Sequence, residues 1–187
     1  MRHAAIFIDE ENVYGWVKNT HESKYQCQSP ELEFLSKVKK TGLEFHKYFD
    51  INKLREYLNE RGFKISKAVC FIAESALNKR SDIVKRLYEC GIRVIPAVRY
   101  EYGHSEDKPK SLLDAMMIVE ILTTAYENKH IETFVIISGD KDFYPVAMKL
   151  RELGKEVIII GPDEDTADIL KTNFEYVDIA MFVNLTE

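Results

Sequence analysis

The sequence predicts an α/β domain built on a mainly parallel central sheet with helices on both faces. Two observations carry this expectation. Short apolar blocks alternate with helix-patterned segments along the chain, and the blocks are unbroken runs of Ile, Val, Phe and Ala, as strands buried on both sides require. Two of these blocks, 4–8 and 134–137, also run almost directly into aspartates, which places acid at the carboxyl ends of strands, where open α/β sheets bind ligands.

Residues 4–9 read as a buried first strand ending in Asp9, and Glu10 to Gly15 as a turn or helix after it. Asp9 and Asn12 have the spacing of a helix N-cap and its first turn, so capping is the plain structural reading of Asp9. Residues 18–47 have a poor pattern and are read as an excursion from the scaffold. A helix starts at Asp50, with Ile51, Leu54, Tyr57 and Leu58 at spacings of three and four, and stops at Gly62. A second strand over 67–73 leads to a helix over 79–90, with Ile83, Val84, Leu87 and Tyr88 facing inward and Gly91 ending it. A third strand covers 92–98, and Pro96 makes it an edge strand or an early finisher.

The polar stretch 100–110 reads as a connection. Residues 111–128 form the longest helix, with Leu112, Met116, Val119, Ile121 and Leu122 among its apolar positions and Asp114 in its first turn. A fourth strand over 132–138 follows, then a helix over 143–153, a fifth strand over 155–160, a short helix near 167–171 and a last strand over 176–179. Repeats, low-complexity tracts and linkers are missing, and the 187 residues read as one domain with a substantial core.

The net charge of -5, from 26 basic and 31 acidic residues, is unlike that of a protein that coats duplex DNA nonspecifically. It is compatible with a nucleic-acid enzyme whose carboxylates hold metal. Cys27, Cys70 and Cys90 are odd in number and far apart, which suggests reduced thiols and a cytoplasmic protein. The histidines have no paired spacing with cysteine, which argues against structural zinc. The first apolar run meets Asp9 too early for a signal peptide or a membrane span.

If strands two and three wind outward on one side and the chain then reverses, strands one and four become neighbours. Asp9 and Asp140 then flank one crevice, Asp142 lies just beyond, and Asp114 can point in from the preceding helix. Four such acids suit Mg²⁺ or Mn²⁺, which prefer carboxylate and water oxygen. The chemistry that needs them together is phosphodiester hydrolysis: divalent ions offset phosphate charge, lower the pKa of water and stabilise the leaving oxygen. Ser138 can hydrogen-bond a carboxylate or a phosphate. Singly, Asp142 and Asp114 are also explained as acids that cap or favour a helix start.

The stretches Ile6-Phe-Ile-Asp9-Glu-Glu-Asn12, Lys110-Ser-Leu-Leu-Asp114 and Ile136-Ile-Ser-Gly-Asp140-Lys-Asp142-Phe143 resemble the NYN-domain (LabA-like) branch of the PIN-like nucleases. The resemblance spans nearly the whole chain, and the Ser-Gly-Asp-x-Asp-Phe element is its most specific part. It implies a PIN-like three-layer α/β/α sandwich and a Mg²⁺-dependent ribonuclease site. By motif matching, the family's acids fall on Asp9, Asp114, Asp140 and Asp142, as catalytic and metal-holding residues, with Asn12 in support. Two departures stand out: Lys110 is four residues before Asp114 without an intervening glycine, and Glu10 stands where glycine is common.

Cations that can meet RNA phosphate are Lys79, Arg80, Arg99, Lys108, Lys110 and Lys141; solvated surface charge is the plainer reading of each, except Lys141, which is slightly favoured because it lies between two acids. Asn12, Ser138, Lys110 and Lys141 are the expected substrate-binding set. Tyr100 and Tyr102 can stack on bases, although burial at a strand end is the plainer reading. The expectation is a metal-dependent nuclease acting on RNA, without membrane association, with a homodimer or a protein partner left open. The rival is a noncatalytic module of the same fold that binds RNA or a protein. A phosphotransferase is disfavoured, because no Gly-rich phosphate loop is present.

Overall fold

The computed structural model describes residues 1–16, 49–100 and 110–182. The predicted excursion over 18–47, Cys27, Tyr102 and Lys108 lie outside the described residues. Six parallel strands form the central sheet: β1 (Arg2–Asp9), β2 (Phe63–Ala73), β3 (Arg93–Ala97), β6 (Ile131–Ile137), β7 (Glu156–Gly161) and β8 (Glu175–Asp178), in the order β3-β2-β1-β6-β7-β8. Two very short strands, β4 (Arg99–Tyr100) and β5 (Lys110–Ser111), pair antiparallel in a separate ribbon, at the two ends of the stretch 100–110 expected to be a connection. The order is the one expected from winding outward and then reversing. It makes β1 and β6 neighbours, and their shared carboxyl edge is the switch point.

The strands follow period-2 logic while being apolar on both faces. Ala4, Ile6 and Ile8 of β1 join one core cluster, whereas Ala5 and Phe7 join the other. The first cluster is covered by the helical residues 10–16 (α1), by α2 (Ile51–Glu60) and by α4 (Ser81–Glu89), through Val13, Trp16, Leu54, Leu58, Ile83 and Leu87. A four-residue helix, α3 (Glu74–Leu77), and a 3₁₀ turn (Asn78–Arg80) join β2 to α4 across the carboxyl edge of the sheet. The second cluster is covered by α5 (Leu113–Glu127), α6 (Tyr144–Glu152) and α7 (Asp168–Asn173), through Leu113, Met117, Ile121, Ala147, Leu150 and Leu170. The molecule is thus a three-layer α/β/α sandwich.

Most local expectations agree with this architecture. Asp50 caps α2 by accepting from the backbone N–H of Asn52 (2.9 Å) and Lys53 (3.2 Å), and Gly62 closes that helix at φ 80°. Pro96 lies in β3, an edge strand, as its missing N–H requires. Other expectations need correction. β2 begins at Phe63 rather than 67, because its first half pairs with β1 before β3 joins it. Tyr88 is not an inward residue of α4, since 57% of its surface is exposed. The helix expected over 79–90 is divided between the 3₁₀ turn and α4.

Candidate active site

The parallel register pairs Ile8 with Ile137, so the next residues, Asp9 and Ser138, come level at the carboxyl edge. Period 2 turns both toward the face covered by α5. Asp9 is almost wholly buried there, and both its oxygens are engaged: the Ser138 hydroxyl donates to Oδ2 (3.0 Å), and the Asn12 backbone N–H donates to Oδ1 (3.1 Å). Asp9 therefore does cap α1, as its spacing suggested. The Asn12 side chain reaches across the strand gap, its Oδ1 accepting from the Gly139 N–H (3.1 Å). Ser138 is fully buried, and its oxygen also accepts from the Asp140 N–H (3.3 Å). Ser138 thus positions Asp9 and the following turn, with its buried hydroxyl on a carboxylate, the first of the two partners expected for it. Asn12 also spends its carbonyl oxygen within the protein, holding the two strand ends together.

Beyond Ser138 the chain turns at Gly139 into a 3₁₀ turn, Lys141–Phe143, that feeds α6. Asp140 is the cap here, with Oδ1 accepting from the Asp142 N–H (2.9 Å), so the capping role considered for Asp142 falls to its neighbour. Gly139 is required by proximity rather than by a left-handed backbone. A Cβ there would lie 2.9 Å from Thr166 Oγ1, 3.0 Å from Thr166 Cα and 3.1 Å from the Asp165 carbonyl oxygen. The Ala167 N–H donates to the Gly139 carbonyl (3.0 Å), so the segment after β7 is packed directly on the turn that carries the acids.

Asp114 lies in the first turn of α5, whose N-terminus has no side-chain cap, so capping does not account for it. Its carboxylate meets those of Asp140 and Asp142: one oxygen from each lies within 4.8 Å of the others. Asp9 stands beside this trio, not in it, with its oxygens turned to Ser138 and Asn12. The electrostatics show how near the groups are. Burial, and then the charges of Asp140, Asp142 and Glu11, hold the Asp114 carboxyl above the usual carboxylate range. Burial pushes Asp9 up to about 6; its two hydrogen bonds pull the other way, and the charges of Asp114 and Glu11 add to the rise. These like charges repel one another, and a hard divalent ion among them would relieve the repulsion, so the donor set fits such a cation.

Sequence reasoning gives no role to three residues at this edge. Glu11 adds a charge that Asp9 and Asp114 both feel, and its only sequence signal is its place in the turn after Asp9. Glu10 is fully buried and ion-paired with Arg80 Nη1, and burial pushes its carboxyl up to about 7 despite that partner. Tyr14 lies under the Arg80 guanidinium, whose centre is 3.6 Å from the ring centroid. Of the expected cations, Lys141 is exposed between the two acids, while Lys110 pairs through its backbone with Tyr100 in the β4–β5 ribbon.

The NYN domain family model matches residues 3–180. No curated protein matches. The crystal structure of a protein of unknown function from Vibrio parahaemolyticus is similar in fold, with a TM-score of 0.69 over 98% of this chain and 96% of that one, at 18% identity. The sheet order and layering are those of a PIN-like sandwich. Among the described residues no helix is long and apolar enough to cross a membrane.

Proposed function

The chain belongs to the NYN domain family, and on that membership and the convergent acids we propose that it is a Mg²⁺- or Mn²⁺-dependent nuclease acting on RNA. One observation carries the reading: Asp114, Asp140 and Asp142, from two distant parts of the chain, each offer a carboxylate oxygen within 4.8 Å of the others. Asp114, Asp140 and Asp142 would hold the cation, with Asp9 completing the acid wall. A divalent ion, when bound, supplies charge for the phosphodiester and acidifies water for the attack. Asp140 is fixed for this by its bonds to Ser138 and to the Asp142 N–H, and Asp9 by Ser138 and Asn12. The protein therefore does its positioning before any substrate arrives, which is where catalytic advantage in phosphoryl chemistry lies. Lys141, exposed between Asp140 and Asp142, would meet a phosphate of the substrate.

The test is incubation of purified protein with a mixed RNA pool, with Mn²⁺ and with chelator, alongside Asp140→Asn and Asp114→Asn. Cleavage that needs the metal and falls by several powers of ten in both variants supports the proposal. Undiminished cleavage by folded Asp140→Asn removes Asp140 from the mechanism. Tight RNA binding without turnover in the parent, with either ion, favours the noncatalytic module instead.

A further inference from the structure

Glu10 is a fully buried acid at the site, and nothing in the proposed hydrolysis uses it. Its side chain is 0% exposed, and its partner Arg80 is 19% exposed, so the pair has a buried end and an open end. Removing a carboxylate from water is expensive, and an ion pair of this kind is weak evidence for stability in itself. What the pair does is fix a guanidinium. Glu10 Oε2 takes Nη1, and the Tyr14 ring lies against the face of the group at 3.6 Å. A planar cation held by one edge and one face has a single orientation, with the remaining N–H groups left for another acceptor. Among the described residues, Arg80 has no other hydrogen-bond or ion-pair partner.

Other described arginines are differently placed. Arg2, Arg61 and Arg93 pair with Glu156, Glu175 and Glu120, and all three of those acids keep some exposure. Arg80 sits in the 3₁₀ turn over the carboxyl edge of β2, next to the β1 end that carries Asp9. The mouth itself is crowded with carboxylates, Asp9, Glu11, Asp114, Asp140 and Asp142, which repel an approaching phosphate. A fixed cation one strand away from them offers a polyanion a second point of attachment.

We propose that Arg80, oriented by Glu10 and Tyr14, is a phosphate-binding residue that seats a single-stranded RNA across the carboxyl edge of β2 and β1 beside the acid group. This rests on the nuclease reading for its substrate, and it adds a binding contact that the acids do not supply. A single strand is the form proposed, since a net charge of -5 is unlike that of a protein that coats a duplex nonspecifically.

The test is fluorescence anisotropy with a labelled, short, mixed-sequence single-stranded RNA in the Asp140→Asn background, which keeps the strand intact, with cleavage by the parent measured separately. Adding Arg80→Gln raises Kd about tenfold and makes the slope of log affinity against log salt shallower by about 0.7, the value of one phosphate on a single strand. Arg80→Gln alone also strands the buried Glu10 charge and lowers the melting temperature. The double change Glu10→Gln with Arg80→Gln removes both charges: melting recovers while RNA binding stays weak. If binding recovers together with melting, Arg80 only neutralises Glu10, and the proposal is overturned. A parent that cuts RNA, with Arg80→Gln leaving Kd and salt slope unchanged, overturns the Arg80 contact and leaves the nuclease reading standing. A parent that neither cuts nor binds RNA overturns both.

Discussion

Asp9 combines burial with two engaged oxygens, and its charge is a cost to the metal-free fold. Its folded pKa of about 6 lies above its ordinary 3.8, so the folded protein binds this proton more tightly than the unfolded chain does. Below the ordinary value both states are protonated and there is no penalty; above about 6 both are ionised and the penalty is complete. A carboxyl raised that far costs the fold roughly 3 kcal/mol once ionised, and this stability is lost as pH rises through that window. In chelator, the melting temperature of the parent should therefore climb as pH falls from about 7 to about 4.5, and that climb should be shallower in Asp9→Asn. Parallel curves for the two proteins would show that Asp9 titrates alike in both states. The residue also marks how far single side chains are readable from sequence. Strand ends and motif spacing point to all four acids, and the three-residue gap to Asn12 points to the cap. What stays hidden is the division of labour among them. Asp140 and not Asp142 caps the turn, and nothing in the two residue names decides it. Glu10 and Arg80 are equally hidden as a pair, because a separation of 70 residues leaves no local pattern to join them.

The turn after β6 and the helix α5 place the acids for different physical reasons. The turn depends on close packing: the atoms that a Cβ at Gly139 would meet include backbone of Thr166 and Asp165, which cannot swing aside as a long side chain would. Gly139→Ala should cost about 1–3 kcal/mol, in the range of overpacked sites. It should also disturb the acids, because Asp140 is the next residue. Urea denaturation checks the first part, with the midpoint falling and the slope unchanged; a neutral substitution would mean that the segment over 162–167 yields freely. The sequence shows Gly139 as part of the Ser-Gly-Asp element, but close contact with a distant segment, the actual reason for it, leaves no local trace. Helix α5 shows the same limit. It is apolar nearly all round, with Leu113, Met117 and Ile121 buried while Val119 stays 63% exposed, so its sequence announces a helix without announcing which face turns inward. The direction of Asp114 follows from that face, and the packing of Leu113, Met117 and Ile121 into the core cluster that also holds Phe7 and Phe71 sets it.

In the molecule as a whole, the acid group links parts of the fold that are otherwise joined through the core: α5 on one side of the β1–β6 switch point and the turn after β6 on the other. The strand order is readable because the connection rules for a parallel sheet leave few ways to bring two acid-ended strands together. The coupling between metal and stability follows from the same geometry. Without metal, Asp114 is half-buried among like charges, and it makes no cap that its loss would undo. Asp114→Asn should therefore stabilise the metal-free protein by about 0.5–2 kcal/mol, as removal of a functional strain commonly does. At this chain length each kcal/mol moves the melting temperature by roughly 2–4 °C. On the proposed metal site, Mn²⁺ should act in the opposite sense on the two proteins' difference. It should bind the folded parent and not the unfolded chain, stabilising it by about 2.7 kcal/mol at a hundred times its Kd, and bind the variant with one ligand fewer. The order of melting temperatures should thus invert: variant above parent in chelator, parent above variant in saturating Mn²⁺. A variant that melts lower than the parent in chelator, together with a parent indifferent to Mn²⁺, would leave Asp114 as an ordinary acid at a helix start and dissolve the metal site.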